Sequence, residues 1–97
     1  MKRRLRILDI AKREVREARR YYERQRAGLG AELLEEFERV AHLIEQNPEA
    51  YQVIHGDVRH VVLRRFDYIT YFRIEGKMVD ITGFMHARRD SSDWLSR

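Results

Sequence analysis

No cysteine occurs among the 97 residues, so disulfides, thiolate metal sites and a cysteine nucleophile are all excluded. Serine is confined to the tail, at Ser91, Ser92 and Ser96, without the strand-turn-helix elbow that a serine hydrolase needs. The four histidines, His42, His55, His60 and His86, show no metal-ligand spacing, and no carboxylate sits in register to complete a set. No metal and no cofactor is therefore expected. Gly28-Leu29-Gly30 begins like a dinucleotide fingerprint, but the third glycine is missing and a helical pattern stands where a strand is required. It reads as a turn, and no phosphate loop ending in lysine and Ser/Thr occurs elsewhere. No apolar run approaches the ~20 residues that cross a bilayer. The basic start, Met1-Lys2-Arg3-Arg4, is interrupted by Arg6 and Asp9 before an apolar signal segment can form. A cytoplasmic protein without membrane attachment is expected.

Charge is plentiful and unevenly placed. A hydrophobic fraction of 43% and a charged fraction of 37% suit one heavily solvated domain with a modest core, spanning residues 1–97. Residues 1–30 carry 11 Lys/Arg against 4 Asp/Glu, residues 31–51 carry 1 against 6, and residues 52–97 carry 8 against 6. This is a dipolar surface. Its basic part suits phosphates or acidic protein segments, although alternating charge on solvated helix faces accounts for many of these residues.

Leu5, Ile7 and Leu8 among arginines predict a short strand over residues 3–8. Asp9 is placed to cap a helix beginning near Ile10, and Ala11, Val15, Ala18 and Tyr22 define its buried stripe to about residue 27. Arg13–Glu17, Arg19–Glu23 and Glu17–Arg20 have the spacing of surface ion pairs on the opposite face. Gly28 can take the left-handed conformation that closes a helix, with Leu29 tucked back into the core. A second helix is expected from about 31 to 46, with Leu33, Leu34, Phe37, Val40, Ala41 and Ile44 inward and Asn47-Pro48 as its stop. Beyond residue 50 the period becomes two, predicting strands over 58–66, 68–75 and 78–85, with Glu75-Gly76-Lys77 as a tight hairpin turn. The expected fold is α+β: a β-α-α-β-β-β chain whose helical hairpin packs on a small antiparallel sheet. The uncovered sheet face is expected to present arginine, tyrosine and histidine.

One metal-free chemistry is open to these residues. RNA is cut when a base activates the 2′-hydroxyl and arginines hold the phosphate. Arg59, Arg64, Arg65, Arg88 and Arg89 offer the clamp and His86 a group titrating near neutrality, but no second acid–base partner is visible. Hydrolysis by paired carboxylates has no support, because the acidic residues fall mostly on helix faces. In the strand over 68–75, residues 68, 70, 72 and 74 share one face and 69, 71 and 73 the other, so about half of the strand aromatics must fill the core.

In order and spacing, the chain resembles the ParE branch of the ParE/RelE toxin superfamily over almost its whole length. The resemblance runs through Ala11, Glu14, Tyr21-Tyr22-Glu23-Arg24-Gln25, Gly28-Leu29-Gly30, then Phe37, Glu38, Ile44, Asn47 and Pro48. It continues with Arg59, Arg64-Arg65-Phe66-Asp67-Tyr68, Tyr71, and the closing His86, Arg88, Arg89, Asp90 and Trp94. Asp67 and Ser91 stand where the family usually has proline. The resemblance implies the toxin of a bacterial type II toxin–antitoxin pair, held inactive by a ParD-like antitoxin whose flexible segment wraps it, with DNA gyrase as target. Arg59, Arg65, Tyr71, Arg88, Arg89 and Trp94 would then bind target or antitoxin. The alternative is a RelE-like ribosome-dependent mRNA endoribonuclease using Arg59, Arg64, His86 and Arg88. A relative that has lost toxicity and only binds its partner is a third possibility.

Overall fold

Alternation of Leu5 and Ile7 with Arg4 and Arg6 forms a first strand, β1 (Arg4–Ile7), whose aliphatic side chains are half-buried and whose arginines are exposed. The structure, a computed structural model, describes residues 3–88. Two helices follow, α1 (Asp9–Gln25) and α2 (Leu29–Gln46), then a 3-10 turn at Pro48–Ala50. Four strands complete the chain: β2 (Val53–His55), β3 (Val58–Val62), β4 (Tyr68–Glu75) and β5 (Met78–His86). They form one five-stranded sheet in the order β1-β5-β4-β3-β2. The expected helical hairpin on a sheet is present, and the sheet is mixed. β1 runs parallel to β5, with Leu5 opposite Val79 and Ile7 opposite Ile81, while the other pairings are antiparallel. The parallel pairing is possible because both helices and three strands separate β1 from β5 in the chain, and parallel neighbours need a long connection.

The helices obey their apolar period. Ala11, Val15 and Ala18 of α1 are buried, as are Leu33, Phe37, Val40, Ala41 and Ile44 of α2. They pack on Phe72, Val79, Ile81 and Phe84, none more than 1% exposed. Each such side chain contributes about 1.5–3 kcal/mol through burial.

Local details depart from the sequence expectations for identifiable reasons. Asp9 is the first residue of α1 and makes no cap; Leu8 precedes the helix in extended conformation. Gly28 is left-handed at φ 89° as expected, but α2 begins directly after it, at Leu29. Residues 63–66, expected to prolong β3, form a loop in which Leu63 and Phe66 are buried. β2 was not expected; Gly56 at φ 56° turns it back onto β3.

None of the three expected pairs on α1 closes. Glu23 instead accepts from the backbone N–H groups of Gly28 at 3.0 Å and Gly30 at 3.0 Å. It thereby satisfies donors that a helix start leaves orphaned, and those bonds hold its carboxyl below the usual range. A Cβ at Gly30 would lie 2.7 Å from the Arg19 carbonyl oxygen, so glycine there permits close approach of the two helices.

One carboxylate is buried inside the sheet. Asp80, 1% exposed, receives Arg6 Nε and Nη2, each at 2.9 Å. The two residues sit opposite each other in the parallel ladder, so this fork joins the first strand to the last. Those bonds hold the Asp80 carboxyl below its ordinary value, with burial opposing them in part. A depressed folded-state value means stability that is complete above about pH 4 and is lost as pH falls through that value. Unfolding by urea is therefore expected to show near-constant stability from about pH 7 to about 5 and a decline below about 4. Asp80→Asn should cost about 1–3 kcal/mol at neutral pH and flatten part of that acid-side decline.

Candidate macromolecule-binding site

The site residues read from the sequence occupy several separate places. Arg59 lies on β3 opposite Phe72 and donates from Nη1 to the Tyr51 carbonyl at 2.7 Å and the Glu49 carbonyl at 3.3 Å. It thus ties the segment after α2 to the sheet. Arg65 pairs with Glu32 of α2, and its guanidinium carbon stands 5.5 Å from the centre of the Phe66 ring. Arg64 is exposed, and its backbone N–H donates to Glu36 at 3.1 Å. Glu36 also receives a two-pronged contact from Arg39, both distances 3.0 Å, so the loop before β4 is clasped to α2 through backbone and side chain together.

His86 ends β5 opposite Tyr68. Its ring meets Tyr68 edge-on at 5.3 Å, and its Nδ1 accepts the backbone N–H of Arg88 at 3.1 Å. Arg88 itself is exposed. Arg89 and Trp94 lie outside the described residues. Of the nuclease candidates, Arg59 stands apart from His86 and Arg88. Arg59 and His86 are two strands and four residues apart across the sheet, roughly 15 Å, with buried Thr70 and Phe84 between them. No group of acidic and histidine side chains suited to a metal ion occurs among the described residues.

The expectation of an open cationic sheet face is corrected. The face away from the helices carries a second small core of Val58, Tyr71 and Met85, packed with Ile54 and Ile69. Tyr71, expected to anchor a partner, is 4% exposed and so presents almost no surface for contact. Parity placed Tyr71 opposite the helices correctly; the sequence carried no sign that this face is also apolar and buried. Arg6 on that side is engaged by Asp80, and Arg73 lies 3.7 Å from Glu75.

Concave regions among the described residues include two of about 460 and 520 Å³, neither visible in the sequence because each joins distant segments. A groove of about 460 Å³ runs where α1, α2 and β1 meet. Val15, Phe37 and Ala41 line its buried part, and Leu5, Ile7 and Leu34 are half-buried. Lys12 and Arg16 line it from α1, while Glu38, His42 and Glu45 line it from α2. This suits an amphipathic segment: apolar residues for the groove, charges of both signs for its rims. A second cleft, about 520 Å³, gathers Tyr21, Tyr22, Gln25, Leu29, Asp67, Tyr68 and His86. Burial pushes the Tyr22 hydroxyl up from its ordinary value, and the Asp67 carboxylate adds to this.

The model of a protein family described as "ParE toxin of type II toxin-antitoxin system, parDE" matches residues 5–91. The chain belongs to this ParE family. Among solved structures, the chromosomal ParDE toxin–antitoxin system from P. aeruginosa aligns with a TM-score of 0.79 at 15% identity, covering 87% of this chain and 95% of that one. A mutant of the E. coli toxin RelE in the free state aligns with a TM-score of 0.71 at 19% identity, covering 99% and 93%. At these identities the two likenesses establish a shared fold. No curated protein is significantly similar in sequence. No described helix is long and apolar enough to cross a membrane.

Arg59 is therefore expected to act in this ParE chain first as a structural tie. Arg59→Ala should lower stability by about 1–3 kcal/mol through its lost carbonyl bonds, measured by urea unfolding.

Proposed function

We propose that this ParE-type toxin acts in the cytoplasm by binding DNA gyrase and blocking it without turning over a substrate. We further propose that a ParD-like antitoxin neutralises it by laying an amphipathic segment in the groove between α1, α2 and β1. The observation that supports the non-catalytic reading is the separation of Arg59 from His86, with core residues between them. A nuclease needs its phosphate clamp and its proton-transfer group within reach of one scissile bond. His86, Arg88 and the aromatic cleft then belong to a contact surface. The groove supports the antitoxin reading because its walls are apolar and its rims carry opposite charges, a pattern that gives an amphipathic helix both affinity and register.

The RelE-like reading, cleavage of mRNA on the ribosome, makes opposite predictions in the same cells. Under tight induction, the gyrase reading expects altered supercoiling and DNA breaks with intact transcripts, and His86→Ala should keep most of the growth inhibition. Cleaved messages, abolished by His86→Ala in a folded protein, would establish the nuclease instead. For the groove, Leu34→Glu should weaken antitoxin binding at least about tenfold, read by calorimetry against purified antitoxin. Gyrase inhibition by the same variant should persist in the absence of antitoxin.

A further inference from the structure

We propose that the outer face of α1 is a docking surface for the phosphate backbone of duplex DNA. Lys12, Arg13, Arg16, Arg19, Arg20 and Arg24 are all exposed. At roughly 100° per residue, the six fall within an arc of about 140° opposite the buried stripe. None of them forms an ion pair among the described residues, whereas Arg6, Arg26, Arg39 and Arg65 elsewhere are all paired with carboxylates.

The acidic residues of the same helix offset this arc only in part: by the same rotation Asp9 and Glu23 fall within it, and Glu23 feels the charge of Arg19. Glu14 reaches away to accept the Phe84 backbone N–H at 3.0 Å, and Glu23 is bound to the glycine amides of the hairpin turn. Asp9 stands at the first helical position, and exposed Glu17 at the margin of the arc makes none of the contacts its spacing allows. Like charges three and four residues apart, such as Arg13–Arg16, Arg16–Arg20 and Arg20–Arg24, each destabilise a helix by about 0.2–0.5 kcal/mol. No ion pair among the described residues offsets this cost.

The composition of the face selects the partner. A protein interface needs an apolar centre; Lys12 and Arg16 rim the apolar groove at one edge of the arc, but Arg13, Arg20 and Arg24 stand away from it, and the exposed apolar residues of α1, Ile10 and Tyr21, lie outside the arc. Phosphate contact needs only donors and charge, and the planar fork of arginine grips phosphate oxygens with two parallel bonds. From Arg13 to Arg24 the straight helix extends the row over about 16 Å, which suits a stiff, regularly charged duplex.

The test uses the purified full chain and a fluorescein-labelled duplex of mixed sequence, with anisotropy read over a range of NaCl concentrations. Wild-type affinity should fall with salt at a log–log slope of about −3 to −5. Arg13→Gln/Arg20→Gln/Arg24→Gln should shift that slope toward zero by about 2–3 and weaken binding at least about tenfold at moderate salt. Circular dichroism should find its melting temperature no lower than the wild type's, since repulsion is relieved. Should that variant fail to fold, Lys12→Gln/Arg16→Gln/Arg19→Gln tests the other part of the arc by the same readout. Equal slopes for variant and wild type, or no wild-type binding at low salt, would overturn the proposal. Stronger competition by polyglutamate than by unlabelled duplex would assign the face to an acidic protein, and tighter binding of single-stranded RNA would assign it to RNA; either overturns it.

Discussion

Everything in the helical layer depends on one carboxylate. Glu23 sits near the end of α1 and bonds to the amides of Gly28 and Gly30, the second of which is already inside α2. Two orphan donors at a helix start are satisfied by the preceding helix, so the hairpin angle is fixed by hydrogen bonds before any packing is considered. That angle decides how α1 rolls on the sheet. With Ala11, Val15 and Ala18 inward, the groove opens toward β1 and the cationic arc faces away from the core. The segments Tyr21-Tyr22-Glu23-Arg24-Gln25 and Gly28-Leu29-Gly30 are thus two halves of one joint. Tyr22, one residue before the carboxylate, extends the joint to the loop by meeting the Phe66 ring at 5.0 Å.

The arginines divide into two populations with different physics. Arg6, Arg59 and Arg65 hold the fold: one spans β1 and β5, one ties the segment after α2 to β3, and one clasps the loop before β4 to α2. Pairs as exposed as Arg65–Glu32 contribute little individually, but they orient a loop whose Leu63 and Phe66 are buried. The arginines of α1 have no such duty. A count of charges over residues 1–30 detects the excess but cannot separate the two kinds, because the separation depends on which carboxylates are committed elsewhere.

Most of the fold was legible because period and punctuation carry it. The apolar stripes of α1 and α2, the stop at Asn47-Pro48, the turn at Gly76 and the facing of Tyr68, Thr70 and Phe72 against Ile69 and Tyr71 all follow from local rules. The parallel partnership of β1 with β5 was not legible, since nothing local in Arg4–Ile7 names a partner more than seventy residues away. The end of β3 was misjudged because Leu63 and Phe66 read as strand while being buried from a loop. For the same reason the sequence could not show that Arg59 stands roughly 15 Å from His86 across the sheet, while His86 and Arg88 are joined by a hydrogen bond. Thr82 illustrates how small the missing information can be. Tyr71 pairs with Gly83 and Phe72 with Ile81, so one extra residue in β5 reverses its alternation and lets Ile81 and Phe84 share the helix-facing core.

The ladder between β1 and β5 joins the two ends of the described chain. Val79, the partner of Leu5, is synthesised 74 residues after it. At a synthesis rate of about 5–20 residues per second, the first strand waits for several seconds with half of its ladder absent. Long-range pairing of this kind is slow to form, and here it cannot begin until β5 has been made. A chain without β5 consequently has no closed sheet to present, and a partner already in the cell has that whole interval before the fold is complete.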